Sequence, residues 1–137
     1  MKPEQMKELH FAAGGNTRPW SIKEYRSLIN DPIAVHFSGN YGFALGRVVN
    51  NEAELLMIIV QANKQKLGFG RAYLSGFELA SLKRGAKSCF LEVATNNKAA
   101  KALYYSSGYK QVGVRSLYYA IDDGQRLDAL ILKKRLS

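Results

Sequence analysis

The sequence predicts an α/β domain with a mixed central sheet and helices on both faces. Helical and strand-like patterns alternate along the 137 residues, and a strand–helix–strand unit lies at the centre, around a glycine loop at 65–70. Hairpin patterns flank that unit on both sides. Hairpins pair strands antiparallel, whereas a strand–helix–strand unit pairs them parallel, so the sheet should contain both kinds of pairing. The length suits one domain, over residues 1–137, with a single core.

Two helices are predicted first. Pro3 suits a first helical turn, and apolar residues at helical spacing extend this helix over 3–13. Ser21, followed three residues later by Glu24, has the spacing of a capping box. The second helix should therefore start after Ser21 and end near Asn30, ahead of a proline.

Three strands follow the helices. Residues 33–39 and 41–49 read as a hairpin that turns at Gly39-Asn40. The third strand, "EAELLMIIV" at 52–60, ends in an apolar run that predicts burial on both faces.

The second half of the chain alternates helices and strands. A helix of about fifteen residues should run from the glycine loop to Arg84, where Gly85 closes it. The remaining elements are a strand at 87–95, a short helix at 97–108, and two strands at 109–121 and 126–136 around the turn 122–124.

Composition narrows the function classes. Twenty basic residues against eleven acidic ones give a net charge of +9, which favours a polyanionic partner such as RNA, the ribosome or a phosphate-rich cofactor. A merely solvated basic surface is the alternative. No apolar run is long enough to span a bilayer, and the first residues are too polar for a signal peptide. Cys89 is the single cysteine, which suits a reducing cytoplasm, and with only two distant histidines a zinc site is not expected.

The loop "QKLGFGRA", residues 65–72, carries the most specific chemical signal. It lacks the third glycine of a dinucleotide fingerprint and the Gly-Lys-Ser/Thr of a P-loop. It fits the pattern Gln/Arg-x-x-Gly-x-Gly/Ala through Gln65, Gly68 and Gly70. Small residues there let a pyrophosphate approach backbone N–H groups at the start of a helix. A plain helix-entry turn is the other interpretation of so short a match.

The loop and its surroundings resemble the GNAT superfamily of acetyl-CoA-dependent N-acetyltransferases. Within it, the sequence most resembles the ribosomal-protein-alanine N-acetyltransferases. Four stretches carry the resemblance: "RPWS" at 18–21, "QKLGFGRA" at 65–72, "LEVATNNKAAKALYYSSGY" at 91–109, and "RSLYYAIDDGQRLDALIL" at 115–132. The resemblance implies the GNAT acyl-CoA N-acyltransferase fold and acetyl-CoA as the acetyl donor. Superfamily members usually begin with an extra strand, which we expect to be absent here.

Two residues are implied as proton-transfer groups. The family places its general base at Glu92, which the strand pattern puts on the face opposite Cys89. A carboxylate in an apolar strand is costly unless it is paired or lines a wet cleft, so a salt-bridged glutamate is the alternative. Tyr104 matches the family's general acid, although by itself it would be an ordinary core tyrosine. Tyr105 points about 100° away on a helix and cannot share the role.

The resemblance also implies the binding residues. Backbone groups at the end of the third strand would hold the pantetheine arm and polarise the acetyl carbonyl, and the loop would cradle the pyrophosphate. Coenzyme contacts are implied for Ile58, Ile59, Val60, Gln65, Lys66, Leu67, Gly68, Phe69, Gly70, Arg71 and Asn97. Asn97 also reads as a plain N-cap. The acceptor groove would be flanked by Trp20, Tyr118 and Tyr119.

We therefore expect an N-acetyltransferase that works by direct attack of an amine within a ternary complex. The expected acceptor is a protein N-terminus, such as the terminal alanine of a ribosomal protein. A lysine side chain or a small amine is the second hypothesis. A non-catalytic acyl-CoA-binding module associated with the ribosome is the third, and the +9 charge would suit it.

Overall fold

The computed structural model describes residues 1–13, 20–120 and 126–137, with the backbone alone for 117–120. The elements follow the predicted order. They are α1 Pro3–Ala13, α2 Ile22–Ile29, β1 Ala34–Gly39, β2 Gly42–Val49, β3 Glu52–Val60, a 3₁₀ turn Ala62–Lys64, α3 Phe69–Lys83, β4 Ser88–Ala94, α4 Lys98–Ser106, β5 Lys110–Ala120 and β6 Arg126–Arg135. The turn predicted at 122–124 lies outside the described residues. No helix in the described part of the chain is long and apolar enough to cross a bilayer.

The strands form one six-stranded sheet in the order β1-β2-β3-β4-β6-β5. Strands β3 and β4 pair in parallel, and the other neighbouring pairs are antiparallel. The α3 crossover between β3 and β4 accounts for the parallel pair, because a parallel connection needs a long return path. The predicted mixed sheet is confirmed. In the described residues no strand precedes α1, and β1 forms one edge of the sheet.

Two apolar clusters cover the two faces of the sheet. Met6 of α1 and Tyr25 of α2 pack on Phe43 of β2, whereas Phe77 of α3 belongs to a second cluster with Ala44. Because consecutive residues of a strand point to opposite faces, α1 and α2 lie on one face and α3 lies on the other. Helix α4 joins the α3 cluster through Tyr104. The predicted helices on both faces are confirmed.

Local signals positioned the helix ends correctly. The Ser21 hydroxyl accepts from the backbone N–H of Glu24, and the Glu24 carboxylate accepts from the backbone N–H of Ser21, which completes the capping box. Gly85 and Gly108 follow α3 and α4 with φ of 94° and 99°. This left-handed conformation is the reason glycine ends both helices.

Two details of the prediction are wrong. The first hairpin turns at Asn40-Tyr41 rather than at Gly39-Asn40, because Gly39 still pairs with Gly42. The end of β3 is half-buried instead of buried on both faces. The reason is that β4 accompanies β3 only as far as Leu55.

Candidate active site

The sheet opens between β3 and β4. Their parallel ladder ends at the pair Leu55↔Leu91, although β3 remains paired with β2 and β4 with β6. The register of β3 with β2 skips Leu56, because Leu45 pairs with Met57 and Gly46 pairs with Leu55. Such a bulge bends a strand and increases its twist. The ends of β3 and β4 therefore diverge and leave a gap that connects the two faces of the sheet.

Glu92 is the first residue of β4 beyond that pairing. Its neighbours Leu91 and Val93 point into the α3 cluster, so Glu92 points to the face covered by α1 and α2. The side chain is only 13% exposed, and Arg115 Nη2 lies 3.1 Å from its Oε1. Burial raises the pKa of the Glu92 carboxyl above its usual value, the Arg115 charge opposes this, and Glu54 on the same face adds to it.

Tyr104 lies on the other face of the sheet. It is buried in the α3 cluster, where its ring meets Tyr109 edge-on at 5.9 Å between centroids. Its exposed part lines a cleft between the end of β3 and helix α4. Tyr105 is exposed and does not line this cleft. The gap between β3 and β4 thus separates Glu92 from Tyr104.

The cleft at Tyr104 has a volume of about 660 Å³. Of the residues predicted to bind the coenzyme, eight line it: Ile58, Val60, Gln65, Lys66, Gly68, Gly70, Arg71 and Asn97. The cleft is completed by the small and apolar face of α4, which contributes Ala99, Ala100, Ala102 and Leu103. The loop and the strand end that the sequence singled out therefore form one surface.

The glycine loop presents backbone to this cleft. Gly68, the residue before α3, has φ of 91°, and no atom lies within 4 Å of the position that a Cβ would take. Gly68 has no side chain with which to cap α3, so the first N–H groups of the helix, at residues that border the cleft, receive no cap from it. Lys66 also has a positive φ, 63°. The side chains of Lys66 and Arg71 add positive charge at the same mouth.

Three residues predicted to bind the coenzyme do not line the cleft with their side chains. Leu67 is 66% exposed, and Phe69 packs between the rings of Tyr41 and Tyr73. Ile59 points to the opposite face, into the α1–α2 cluster.

Asn97 has the capping role that its position predicted. Its Oδ1 accepts from the backbone N–H of Ala100 at 3.2 Å, and the residue also lines the cleft. Arg71 is held at the cleft by a hydrogen bond of 2.6 Å from its Nη2 to the hydroxyl of Ser106. The Asn97 bond caps the start of α4, and the Arg71 bond ties the first turn of α3 to the last residue of α4.

The predicted acceptor-groove residues are only partly described. Trp20 packs its ring against Tyr25 at 5.3 Å, on the face of the sheet to which Glu92 points. Tyr118 and Tyr119 belong to β5, and their side chains lie outside the described residues. Among the described residues, no group of three His, Cys, Asp or Glu side chains is arranged to hold a metal ion.

The site contains two charged residues that the sequence reasoning did not select. Arg115 reaches Glu92 from β5, across the intervening strand β6. Glu54 of β3 pairs with Arg47, and its charge acts on Glu92. The stretch "RSLYY" contains Arg115, but only the strand order brings it over β4.

The geometry fits the acetyl donor inferred from the sequence. A pyrophosphate needs free N–H groups, cations and space at the backbone, and the loop around Gly68 offers all three. An extended apolar arm fits between the β3 end and α4. A carboxylate and a phenol stand on opposite sides of the gap into which such an arm leads.

The acetyltransferase (GNAT) family matches residues 9–109, and the chain belongs to this family. It is an acetyl-CoA-dependent N-acetyltransferase.

Sequence and structure comparisons show which N-acetyltransferases this chain resembles. The [ribosomal protein bS18]-alanine N-acetyltransferase of Escherichia coli K12 is 35% identical over 132 residues, which cover 93% of this chain and 88% of that protein. The enzyme of that name from Haemophilus ducreyi is 30% identical, over 83% of this chain and 81% of its own. The crystal structure of the ribosomal-protein-S18-alanine N-acetyltransferase from E. coli superposes with a TM-score of 0.87 and 34% identity. That superposition covers 98% of this chain and 88% of the other.

Proposed function

We propose that this protein acetylates the N-terminal α-amine of a ribosomal protein, with alanine as the terminal residue. The observation that carries the proposal is the gap between β3 and β4, with Glu92 on one face and the Tyr104 cleft on the other. The names of the E. coli and H. ducreyi relatives support the choice of acceptor. The cytoplasm, where ribosomal proteins are made, is the proposed place of action.

Glu92 is the proposed general base, acting directly or through one water. An α-amine has a pKa of about 8, so much of it is protonated at neutral pH and must lose a proton before it can attack. Burial raises the pKa of Glu92, which makes it a stronger base, and the Arg115 charge opposes that rise by favouring the ionised carboxylate. The acceptor would reach it from the face where Trp20 lies.

Tyr104 is the proposed general acid. Acetyl-CoA supplies an activated acetyl group, and transfer breaks its C–S bond as the new N–C bond forms. Tyr104 would give its phenolic proton to the departing sulfur; a phenol pKa of about 10 and a thiol pKa of about 8.5 are close enough for this transfer when the site holds the two groups together. Backbone groups of Ile58 and Val60 would orient the acetyl carbonyl at the open edge of β3, and the loop 65–71 would hold the pyrophosphate. Direct attack agrees with Cys89, which is buried on the face opposite Glu92.

The proposed base can be tested with a matched pair of glutamates. Glu92→Gln should lower kcat about 100-fold or more, because the loss of a general base costs at least that much. The KM for acetyl-CoA should stay unchanged. Glu52→Gln is the control, since Glu52 also lies on a strand of this sheet and pairs with a cation, Lys133, at 2.8 Å. Equal turnover in Glu92→Gln and wild type would remove Glu92 as the base.

The proposed acceptor is tested with a panel of amines and a thiol-release assay. The panel contains ribosomal N-terminal peptides that start with alanine, the same peptides with blocked N-termini and an internal lysine, and polyamines. Release only with free N-termini supports the proposal. Release only with blocked peptides or polyamines would assign the chain to lysine or small-amine acetylation. Tight binding of acetyl-CoA without release from any acceptor would favour a non-catalytic binding module.

We also propose a weak electrostatic contact with ribosomal RNA. The net charge of +9 supports it, because cationic surfaces bind polyanions by releasing counterions. Binding to isolated rRNA should weaken steeply between 50 and 200 mM salt, as an order-of-magnitude guide from counterion release. Salt-independent binding, or no binding at low salt, would contradict the proposal.

A further inference from the structure

Tyr104 is held in place by the way helix α4 ends. The N–H of Tyr109 donates to the carbonyl of Tyr104 at 3.0 Å, and the N–H of Gly108 donates to the carbonyl of Tyr105 at 3.2 Å. With Gly108 at φ 99°, these two bonds make a Schellman motif. The C-cap residue of α4 is Ser107. In a Schellman motif, the side chain three positions before the C-cap residue contacts the side chain two positions after it. In this helix those side chains are Tyr104 and Tyr109, whose rings meet edge-on.

The far end of the Tyr109 ring is anchored in turn. Its hydroxyl donates to Glu78 Oε2 at 2.8 Å, and Lys134 Nζ lies 3.0 Å from Glu78 Oε1. Tyr109 is 2% exposed, so its hydroxyl is removed from water and its acceptor is a charged carboxylate, which makes a strong hydrogen bond. Burial raises the pKa of Tyr109, and Cys89 and Glu78 raise it further, so the hydroxyl remains a donor.

The anchor therefore joins three separate elements. Glu78 lies on α3, Lys134 on β6, and Tyr109 directly after α4. The Lys134 ammonium also lies 5.8 Å from the centre of the Tyr109 ring. A rotation or shift of the Tyr109 ring would break a charge-assisted hydrogen bond in a largely dry site, which is more costly than breaking one in water.

We propose that the Tyr109–Glu78–Lys134 cluster is a positioning device for Tyr104, which fixes the ring of the general acid at the cleft. The inference rests on the proposed role of Tyr104 as the acid. Neither Tyr109 nor Glu78 lines the cleft, so the cluster acts only through Tyr104. Misplacement of a reacting group by about 1 Å can lower the rate about a hundredfold.

A double-mutant cycle tests the proposal. Tyr104→Phe should lower kcat about 100-fold, as expected for loss of a general acid. Tyr109→Phe keeps the ring but removes the hydroxyl, and should lower kcat about tenfold in the wild-type background through misplacement of the donor. In the Tyr104→Phe background the same change should have almost no effect, because no proton donor remains to be positioned. The KM for acetyl-CoA should stay the same throughout.

The outcomes separate this proposal from the proposed function. An equal loss of kcat in both backgrounds would mean a general structural role and overturn the positioning role. A Tyr109→Phe enzyme with full activity, beside a slow Tyr104→Phe enzyme, would also overturn it while leaving the acid in place. A fully active Tyr104→Phe enzyme would refute the acid role, and the positioning role with it.

A second pair of variants keeps the test valid if Tyr109→Phe folds poorly. Glu78→Gln retains an oxygen that can accept the Tyr109 hydrogen bond, whereas Glu78→Leu does not. We expect Glu78→Gln to keep kcat within about twofold of wild type and Glu78→Leu to lose about tenfold, again as misplacement of the donor. The same kcat in both Glu78 variants would contradict the proposal.

Discussion

The two glycines of the coenzyme loop should respond oppositely to alanine. Gly68 has φ of 91° with open space where a Cβ would lie, so Gly68→Ala causes no clash but forces an L-residue into the left-handed region. That conformation costs about 1–2 kcal/mol. Gly70 lies within the first turn of α3, and its added Cβ would lie 3.5 Å from Leu103 Cδ2, an ordinary contact.

The difference in folding stability between Gly68→Ala and Gly70→Ala follows from the backbone conformation at the two positions. Both alanines reduce the freedom of the unfolded chain equally, so that contribution cancels in the comparison. The strain at Gly68 remains, and at Gly70 a helical alanine adds a few tenths of a kcal/mol. Gly68→Ala should therefore be less stable than Gly70→Ala by roughly 1.2–2.5 kcal/mol, from strain and helix propensity together. For a domain of 137 residues that is a difference in Tm of about 4–9 °C.

Thermal unfolding without ligand measures this difference, and the KM for acetyl-CoA reports on the loop. Gly68→Ala should raise that KM, because any relaxation of the strain moves the N–H groups at the start of α3. Gly70→Ala should bind acetyl-CoA nearly as well as wild type, in agreement with the pattern that admits alanine at this position. Equal Tm values for the two variants, or a lower Tm for Gly70→Ala, would refute the reasoning.

Three further predictions follow from the site and its surroundings. Arg115 holds the pKa of Glu92 down, so Arg115→Met should raise that pKa and move the acidic limb of the kcat/KM profile to higher pH; an unchanged limb would exclude the coupling. Burial lowers the pKa of His10, so the stability that neutral His10 contributes is present above about pH 6.5 and is lost as pH falls through the lowered pKa. Urea midpoints between pH 7.5 and 5.5 should show this decline, with a smaller decline in His10→Asn. Asn97→Ala should cost about 1 kcal/mol by loss of the cap, whereas Asn97→Asp should not, as thermal unfolding of the pair will show.

The elements of this fold could be predicted because their signals are local. The capping box of Ser21 and Glu24, and the glycines that close α3 and α4, each act within one turn of helix. The glycine loop was found for the same reason, since the left-handed Gly68 and the start of α3 lie next to each other in the chain.

The residues missed by the sequence reasoning are joined by contacts between distant segments. Arg115 lies 23 positions from Glu92 in the sequence. The two residues meet because the strand order β4-β6-β5 leaves only one strand between them, which the long arginine side chain spans. Glu78 and Lys134 are 56 positions apart, and Tyr109 joins them only after three elements have packed together. No periodicity in the sequence encodes such a meeting, because charged residues on exposed faces have the same pattern whether or not they later pair.

The wrong prediction for β3 shows how an open edge can hide in an apolar pattern. The run "LLMIIV" is apolar because, beyond the bulge at Leu56, Met57 and Ile59 enter one cluster while Ile58 and Val60 pack on the other. Packing of each face against an apolar cluster therefore explains the pattern, but the pattern says nothing about the strand's lateral edge. That edge loses its partner after Leu55, which is why these residues are only half-buried. A strand with apolar residues on both faces packs its side chains into the two clusters, while its edge beyond Leu55 has no strand partner on the β4 side, and this combination suits a site that recognises its ligand through the main chain.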